Sequence, residues 1–336
     1  MASSHGSELD ASTLKSFENA AAGHDGVLSD ESGELVIKPC VQAEIDFYTT
    51  TAADHPEFAE LMPTFMGTLS LGAPASLTDE QVAQVAGDAA EEQAMKDKRL
   101  HGAKIATESA IVLENLTHGF KQPNVLDLKL GARLYADGTA PEKAARLDKV
   151  ASETTSGSLN FRIAGMKVWN GKDFETYDKF YGRKFSAENV NNGFETFFAP
   201  LFAPGVKTEQ AAEVLETILA EITKARHILE KAESRMYSAS VLIVYEGDAD
   251  TLGSLMSDGK DKTPRVDERA PTTQEVAKSE AEEEEDEEEG PPPAFKVKLI
   301  DFAHAQWTSG TGPDENMIKG LKNIEKQMDA LIAKLD

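Results

Sequence analysis

Apolar residues recur along this chain in two rhythms, a period of two or a short unbroken run that marks strands, and a period near 3.6 that marks helices. Val27-Leu28 and Leu35-Val36-Ile37 flank the turn-rich Ser29-Asp30-Glu31-Ser32-Gly33 and predict a hairpin. Glu44 opens a helical stretch with Phe47 and Tyr48, a strand over Phe65 to Leu69 follows, and residues 73–100 are polar and helix-forming, as an insertion would be. A strand ends in Ile111-Val112-Leu113-Glu114-Asn115-Leu116, and Val125, Leu126, Leu128 and Leu130 read as a second, buried one. Pro141 sits near the first position of a helix, where its missing amide costs nothing. Thr154 to Asn160 reads as a polar turn before a strand over Phe161 to Trp169. Ala211, Val214, Leu215, Ile218, Leu219, Ile222, Ile228 and Leu229 predict one long helix from about Thr208 to Ser234. Strands over Tyr237 to Gly247 and from Phe295, then an amphipathic helix from about Met317 to Leu335, complete the pattern.

Composition narrows this picture. The 336 residues suffice for one large domain or two lobes, and the formal net charge is −25. Much of that charge is local: residues 267–289 hold twelve acids against Arg269 and Lys278, and Gly290-Pro291-Pro292-Pro293 follows. Such a run cannot pack a core, so 248–293 is expected to be a disordered acidic loop, either a solvated spacer or a docking segment for basic nuclear partners. An acidic chain is a poor candidate for direct nucleic-acid binding. Any polyphosphate ligand must therefore meet a local basic patch. Cys40 stands alone, which excludes an intrachain disulfide and favours a reducing compartment. The first twenty residues lack a secretory pattern, and no apolar run approaches the roughly 18 residues that span a bilayer, so the nucleus or cytoplasm is expected.

Three places carry chemistry. Asp127 and Lys129 stand two apart in a buried strand and project from one face, as a structural ion pair or as a site that handles a hydroxyl and a phosphate. Lys38 ends a strand just after a glycine-bearing hairpin, where nucleotide kinases place a lysine on phosphate oxygens, and Glu44 is placed to pair with it. Lys143, Arg146 and Lys149 fall three apart on one helix face, a solvated stripe or a phosphate-binding wall.

Pro123, Asp127, Lys129 and Gly131 complete a P-x-x-x-D-x-K-x-G motif that resembles the signature of the inositol polyphosphate kinases. Ile300-Asp301-Phe302-Ala303-His304 resembles the family's second signature, and Phe161-Arg162-Ile163-Ala164-Gly165-Met166-Lys167-Val168, Asp178 to Arg183 and Gly312-Pro313-Asp314-Glu315 resemble further elements. Ala239-Ser240-Val241-Leu242 departs from the family's S-S-L-L, which leaves Ser240 as the serine able to reach nucleotide phosphate. The likeness covers roughly residues 23–247 and 295–335 and is strongest to the fungal multikinases.

That resemblance implies a two-lobed α+β fold with a protein-kinase-like nucleotide cleft: a flexible N-terminus (1–22), an N-lobe (23–116), and a C-lobe (117–336) with a small helical inositol-binding insertion (136–160). It implies ATP and Mg2+ as cofactors and an inositol polyphosphate, with a phosphoinositide head group as a further substrate class. Asp127 and Lys129 become catalytic. Lys38, Glu114, Leu116, Ser240 and Asp301 become nucleotide-binding, with Asp301 the metal ligand. Lys143, Arg146, Lys149, Lys167 and His304 become substrate-binding. The expected reaction takes inositol trisphosphate to tetrakis- and pentakisphosphate. An inositol hexakisphosphate kinase, a nuclear transcription-regulating scaffold and a ligand-binding degenerate kinase are the competing readings.

Overall fold

The predicted hairpin closes as β2 (Leu28–Ser29) and β3 (Leu35–Pro39), paired antiparallel with Leu28 opposite Ile37. The structure, a computed structural model, describes residues 14–17, 19, 26–70, 107, 109–258 and 293–335. The expected insertion at 73–100 and the acidic run at 267–289 lie outside the described residues.

Three more strands extend the hairpin: β1 (Lys15–Ser16) against β2, and β5 (Ser109–Glu114) between β3 and β4 (Phe65–Ser70), giving the order β1-β2-β3-β5-β4. Part of the expected flexible N-terminus is thus a strand, because Leu14 packs on the cluster of Ile37, Ala110 and Val112. Helix α1 (Gln42–Asp54) and the single turn α2 (Pro56–Ala59) lie beside this sheet.

The second sheet is centred on β6 (Pro123–Leu130), flanked by β7 (Phe161–Trp169) and β8 (Phe174–Tyr177) on one side, β10 (Ser240–Glu246) and β11 (Phe295–Ile300) on the other. Because β6 is covered on both faces, Leu126, Leu128 and Leu130 are fully buried and the strand reads as a nearly continuous apolar run. Two short strands, β9 (Ser234–Met236) and β12 (Ala305–Trp307), pair separately.

Helices wrap this lobe. After β6 come α3 (Pro141–Ser152) and α4 (Thr155–Leu159); then α5 (Lys179–Gly182), α6 (Asn191–Phe198), the long α7 (Thr208–Leu229), α8 (Ala249–Asp258) and α9 (Glu315–Ile332). Three expectations are corrected. Thr154–Asn160 is not a plain turn, since Thr154 caps α4 by accepting from the Ser156 amide and the helix ends on Asn160 at φ 55°. The helix from Thr208 stops at Leu229, five residues early, because Ser234 enters β9. The acidic segment does not begin at 248, because α8 forms there and buries Leu252.

The lobes are joined by packing as well as by chain. Phe47 of α1 stacks on Phe302 at 4.9 Å and on Trp307 at 5.5 Å, and the Trp307 indole donates to Thr51 Oγ1 at 3.1 Å. The Leu299 amide donates to the Leu61 carbonyl at 2.7 Å. At the start of α9, Asp314 accepts from the Asn316 and Met317 amides through Oδ1 and from the Met236 amide through Oδ2.

Candidate active site

The strand alternation that buries Leu126, Leu128 and Leu130 turns Asp127 and Lys129 to the opposite face, toward the cleft between the lobes. Cross-strand register puts Ser240 of β10 beside Lys129 and Leu242 beside Asp127 on that face. β11 delivers Asp301 at its end, with Asp301 at φ 69°, a left-handed backbone that a non-glycine residue holds only when its surroundings fix it.

A chain of charges spans the lobes here. Lys38 Nζ donates to Glu44 Oε1 at 2.8 Å and to Asp301 Oδ1 at 2.9 Å, and Lys129 Nζ donates to Asp301 Oδ2 at 3.1 Å. The second anchor of Lys129 is the Ser238 carbonyl at 2.9 Å, and Ser238 is itself left-handed at φ 62°. Glu44 also accepts the Phe302 amide at 3.2 Å, which ties α1 to the segment carrying Asp301. Burial pulls the Lys38 pKa down, but Asp301 and then Glu44 outweigh it and leave it raised, so this ammonium is permanently charged.

The motif glycine follows from the same construction. Gly131 has φ 93°, and a Cβ there would stand 2.3 Å from Asn316 Nδ2. Asn316 needs that space to accept from the Ala132 and Arg133 amides and to donate to the Arg133 carbonyl.

Beside the charges lies a cleft that opens to solvent. Val27 and Val36 wall it from the N-lobe, Val125, Leu242 and Ile300 from the C-lobe, and Glu114 to Thr117 run along its back. Asn115 holds this connection in place, donating to the Gly33 carbonyl at 2.7 Å and accepting from the Thr117 amide at 2.9 Å. A flat aromatic base fits between such apolar walls, with backbone groups at its edge. Lys38, Asp127 and Asp301 line the far end.

Of the residues the sequence singled out, Lys38, Glu114, Leu116, Asp127 and Asp301 converge on this cleft, and Lys129 joins them through Asp301. Ser240 stands under them, its hydroxyl buried without a hydrogen-bond partner. His304 is exposed, its pKa lowered by desolvation and then by Lys143, against the pull of Glu44. Arg146 and Lys149 are exposed on that helix, and Lys149 lies 3.8 Å from Glu153. Lys167 donates to Asn19 Oδ1 at 2.7 Å and sits over the Phe174 ring. Sequence reasoning missed Phe17 and Asn19, which line the cleft; a two-residue strand in a polar leader leaves no periodic signal.

The residues fit a nucleotide-bound divalent ion. Among the described residues no three His, Cys, Asp or Glu side chains cluster as a metal cage. An ion of the Mg2+ type binds through one or two carboxylates and completes its shell with phosphate oxygens and water. Asp301 supplies such a carboxylate and the buried Ser240 hydroxyl a neutral oxygen nearby.

Two lobes joined around a strand lysine, an acid-base strand and a strand-end aspartate define a kinase. The family model for inositol polyphosphate kinase matches residues 110–329, and the chain belongs to that family. It is 32% identical to the inositol polyphosphate multikinase of Saccharomyces cerevisiae, over 92% of this chain and 96% of that protein. Identity to the Schizosaccharomyces pombe multikinase is 31%, covering 93% and 95%. Mouse inositol hexakisphosphate kinase 3 is 34% identical, over 64% of this chain and 48% of that protein. A crystal structure of the S. cerevisiae multikinase in complex with ADP and Mn2+ superposes with a TM-score of 0.63 at 27% identity, over 89% of this chain and all of that one. The protein is thus an inositol polyphosphate kinase like the fungal multikinases.

Proposed function

We propose that this kinase is an ATP-dependent multikinase that carries inositol trisphosphate to the tetrakis- and pentakisphosphate. The observation that carries the reading is the chain Glu44–Lys38–Asp301–Lys129 with Asp127 beside it, at the end of the cleft lined by both lobes. Adenine lies between the Val36 and Leu242 walls, with the backbone at Glu114 and Leu116 along its edge. Lys38 holds nucleotide phosphate oxygens, and Ser240 offers its hydroxyl to them. Asp301 holds Mg2+, which offsets charge on the phosphoryl group when bound. Asp127 orients the inositol hydroxyl and accepts its proton as the hydroxyl oxygen bonds to the γ-phosphorus of ATP, in line with the breaking bond to the departing ADP oxygen. Lys129 stabilises the transferring oxygens, and Lys143, Arg146, Lys149, Lys167 and His304 supply the wall for the inositol phosphates. Positioning and fixed charge provide most of the acceleration in such a step.

The test is turnover of inositol 1,4,5-trisphosphate with Mg-ATP, products resolved by chromatography, for wild type, Asp127→Asn and Lys129→Ala. Tetrakis- and pentakisphosphate that fall by about 10²-fold or more in both variants support the reading. The likeness to inositol hexakisphosphate kinases favours the second reading, a pyrophosphate-forming enzyme. Turnover of the hexakisphosphate alone would select it.

A further inference from the structure

Two arginines close to the catalytic strand have no part in the site as described so far. Arg162 of β7 is the register partner of Lys129, and so stands on the face that carries Asp127 and Lys129. It is partly exposed, and its Nη1 donates to Ser156 Oγ of α4 at 2.7 Å, which fixes the fork of the guanidinium. Arg183 follows α5 directly, and α5 is pressed onto the edge of β7 because a Cβ on Gly182 would lie 1.9 Å from the Ile163 carbonyl oxygen. Arg183 covers the Phe180 ring, and its Nε is buried without a hydrogen-bond partner.

Both guanidinium groups are partly exposed, and Arg162 feels the charge of Arg183, a pairing of cations that suits an anion. Burial and then Arg183 hold the Arg162 pKa down at about 10, against the pull of Asp127. Lys129 stands beside Arg162 on the same face, so two cations flank Asp127 there. Among the described residues these side chains make a basic corner beside Asp127, which an anionic ligand would neutralise. Neither arginine lines the nucleotide cleft, and Arg162 lies on the Lys129 side of Asp127, where an acceptor presenting its hydroxyl to Asp127 would extend.

We propose that Arg162 and Arg183 form a phosphate subsite for the inositol substrate, taking a phosphate ester of the ring whose hydroxyl faces Asp127. A planar guanidinium with a free edge binds two oxygens of one phosphate. This rests on the kinase reading above for the identity of the substrate, and the experiment separates the two.

Steady-state kinetics with inositol 1,4,5-trisphosphate and Mg-ATP are measured for wild type, Arg162→Gln, Arg183→Gln and Arg183→Lys, with melting temperatures alongside. Either glutamine variant should raise the KM for the inositol phosphate about 10-fold, the loss of one charge-assisted contact, and leave the KM for ATP within about twofold. Arg183→Lys, which keeps the charge, should recover part of the loss. If Arg162→Gln does not fold, Arg183→Gln carries the test, since Arg183 lies outside the sheet. Calorimetry with inositol hexakisphosphate reads the subsite without turnover. Absent catalysis in the wild type would remove the kinase reading, while roughly 10-fold weaker hexakisphosphate binding by Arg183→Gln would still establish the subsite. Unchanged inositol KM and unchanged calorimetric affinity, or a parallel rise in the KM for ATP, would overturn it.

Discussion

Replacing Lys38 by methionine tests whether the charge chain holds the two lobes together. In the folded protein the Lys38 side chain is 14% exposed, Glu44 1% and Asp301 11%. Without the ammonium, Glu44 keeps one donor, the Phe302 amide at 3.2 Å, and Asp301 keeps Lys129 at 3.1 Å. Removing one partner of a buried pair costs about 3–5 kcal/mol, and these surviving donors place the loss near the lower bound, about 3 kcal/mol. Most of that cost is the stranded Glu44 carboxylate, so Glu44→Gln in the Lys38→Met background should recover about 1–2 kcal/mol. Denaturant midpoints of wild type, both single variants and the double variant form the cycle. The pH dependence has a definite sign. A lysine pKa raised by folding gives stability that is complete below the unfolded value of about 10.4 and is lost as pH rises through the folded value, so the difference between wild type and Lys38→Met should be flat from pH 6 to 9. A loss under about 1 kcal/mol, or a double variant less stable than Lys38→Met, would refute this account of the cleft.

Two further predictions follow from the same geometry. His304 has a pKa lowered by desolvation and then by Lys143, so its contribution is complete above the unfolded value of about 6.5 and is lost as pH falls through the folded value. Wild type should therefore lose stability between pH 7.5 and 5.5, and His304→Gln should lose less; equal slopes would contradict the assignment. Gly182→Ala forces a methyl group against the Ile163 carbonyl oxygen and should destabilise by about 1–3 kcal/mol in thermal or denaturant unfolding, whereas Gly253→Ala, a helical position where the methyl meets Gln210 Nε2 at an ordinary 3.7 Å, should cost nothing measurable.

The fold was legible wherever burial imposed a simple rhythm. β6, covered on both faces, announces itself as apolar residues interrupted by Asp127 and Lys129, and the β2–β3 hairpin is marked by its turn residues. The exceptions are short elements whose formation depends on distant partners. α4 has five residues and no apolar period; its place is set by the Thr154 cap and by Arg162 reaching Ser156 from the neighbouring strand. β1 has two residues and exists because Leu14 finds the N-lobe cluster.

In the cleft, the limit lay in the strand parity of β7. Arg162 and Lys167 are five residues apart, and on a regular strand an odd separation sends side chains to opposite faces. The pairing with β6 is not regular. Leu128 faces Ile163 and Asp127 faces Gly165, so Ala164 is an extra residue, and the bulge brings Arg162 opposite Lys129 and Lys167 opposite Val125 on one face. Motif matching finds Lys167 and passes over Arg162, because alternation alone assigns only one of them to the cleft. The bulge puts a basic residue opposite each end of the catalytic strand's cleft-facing row, with Asp127 between them. Removing that extra residue would leave β6 unchanged and turn one of the two cations into the core, so the reach of the basic wall is set by β7 pairing as much as by residue type.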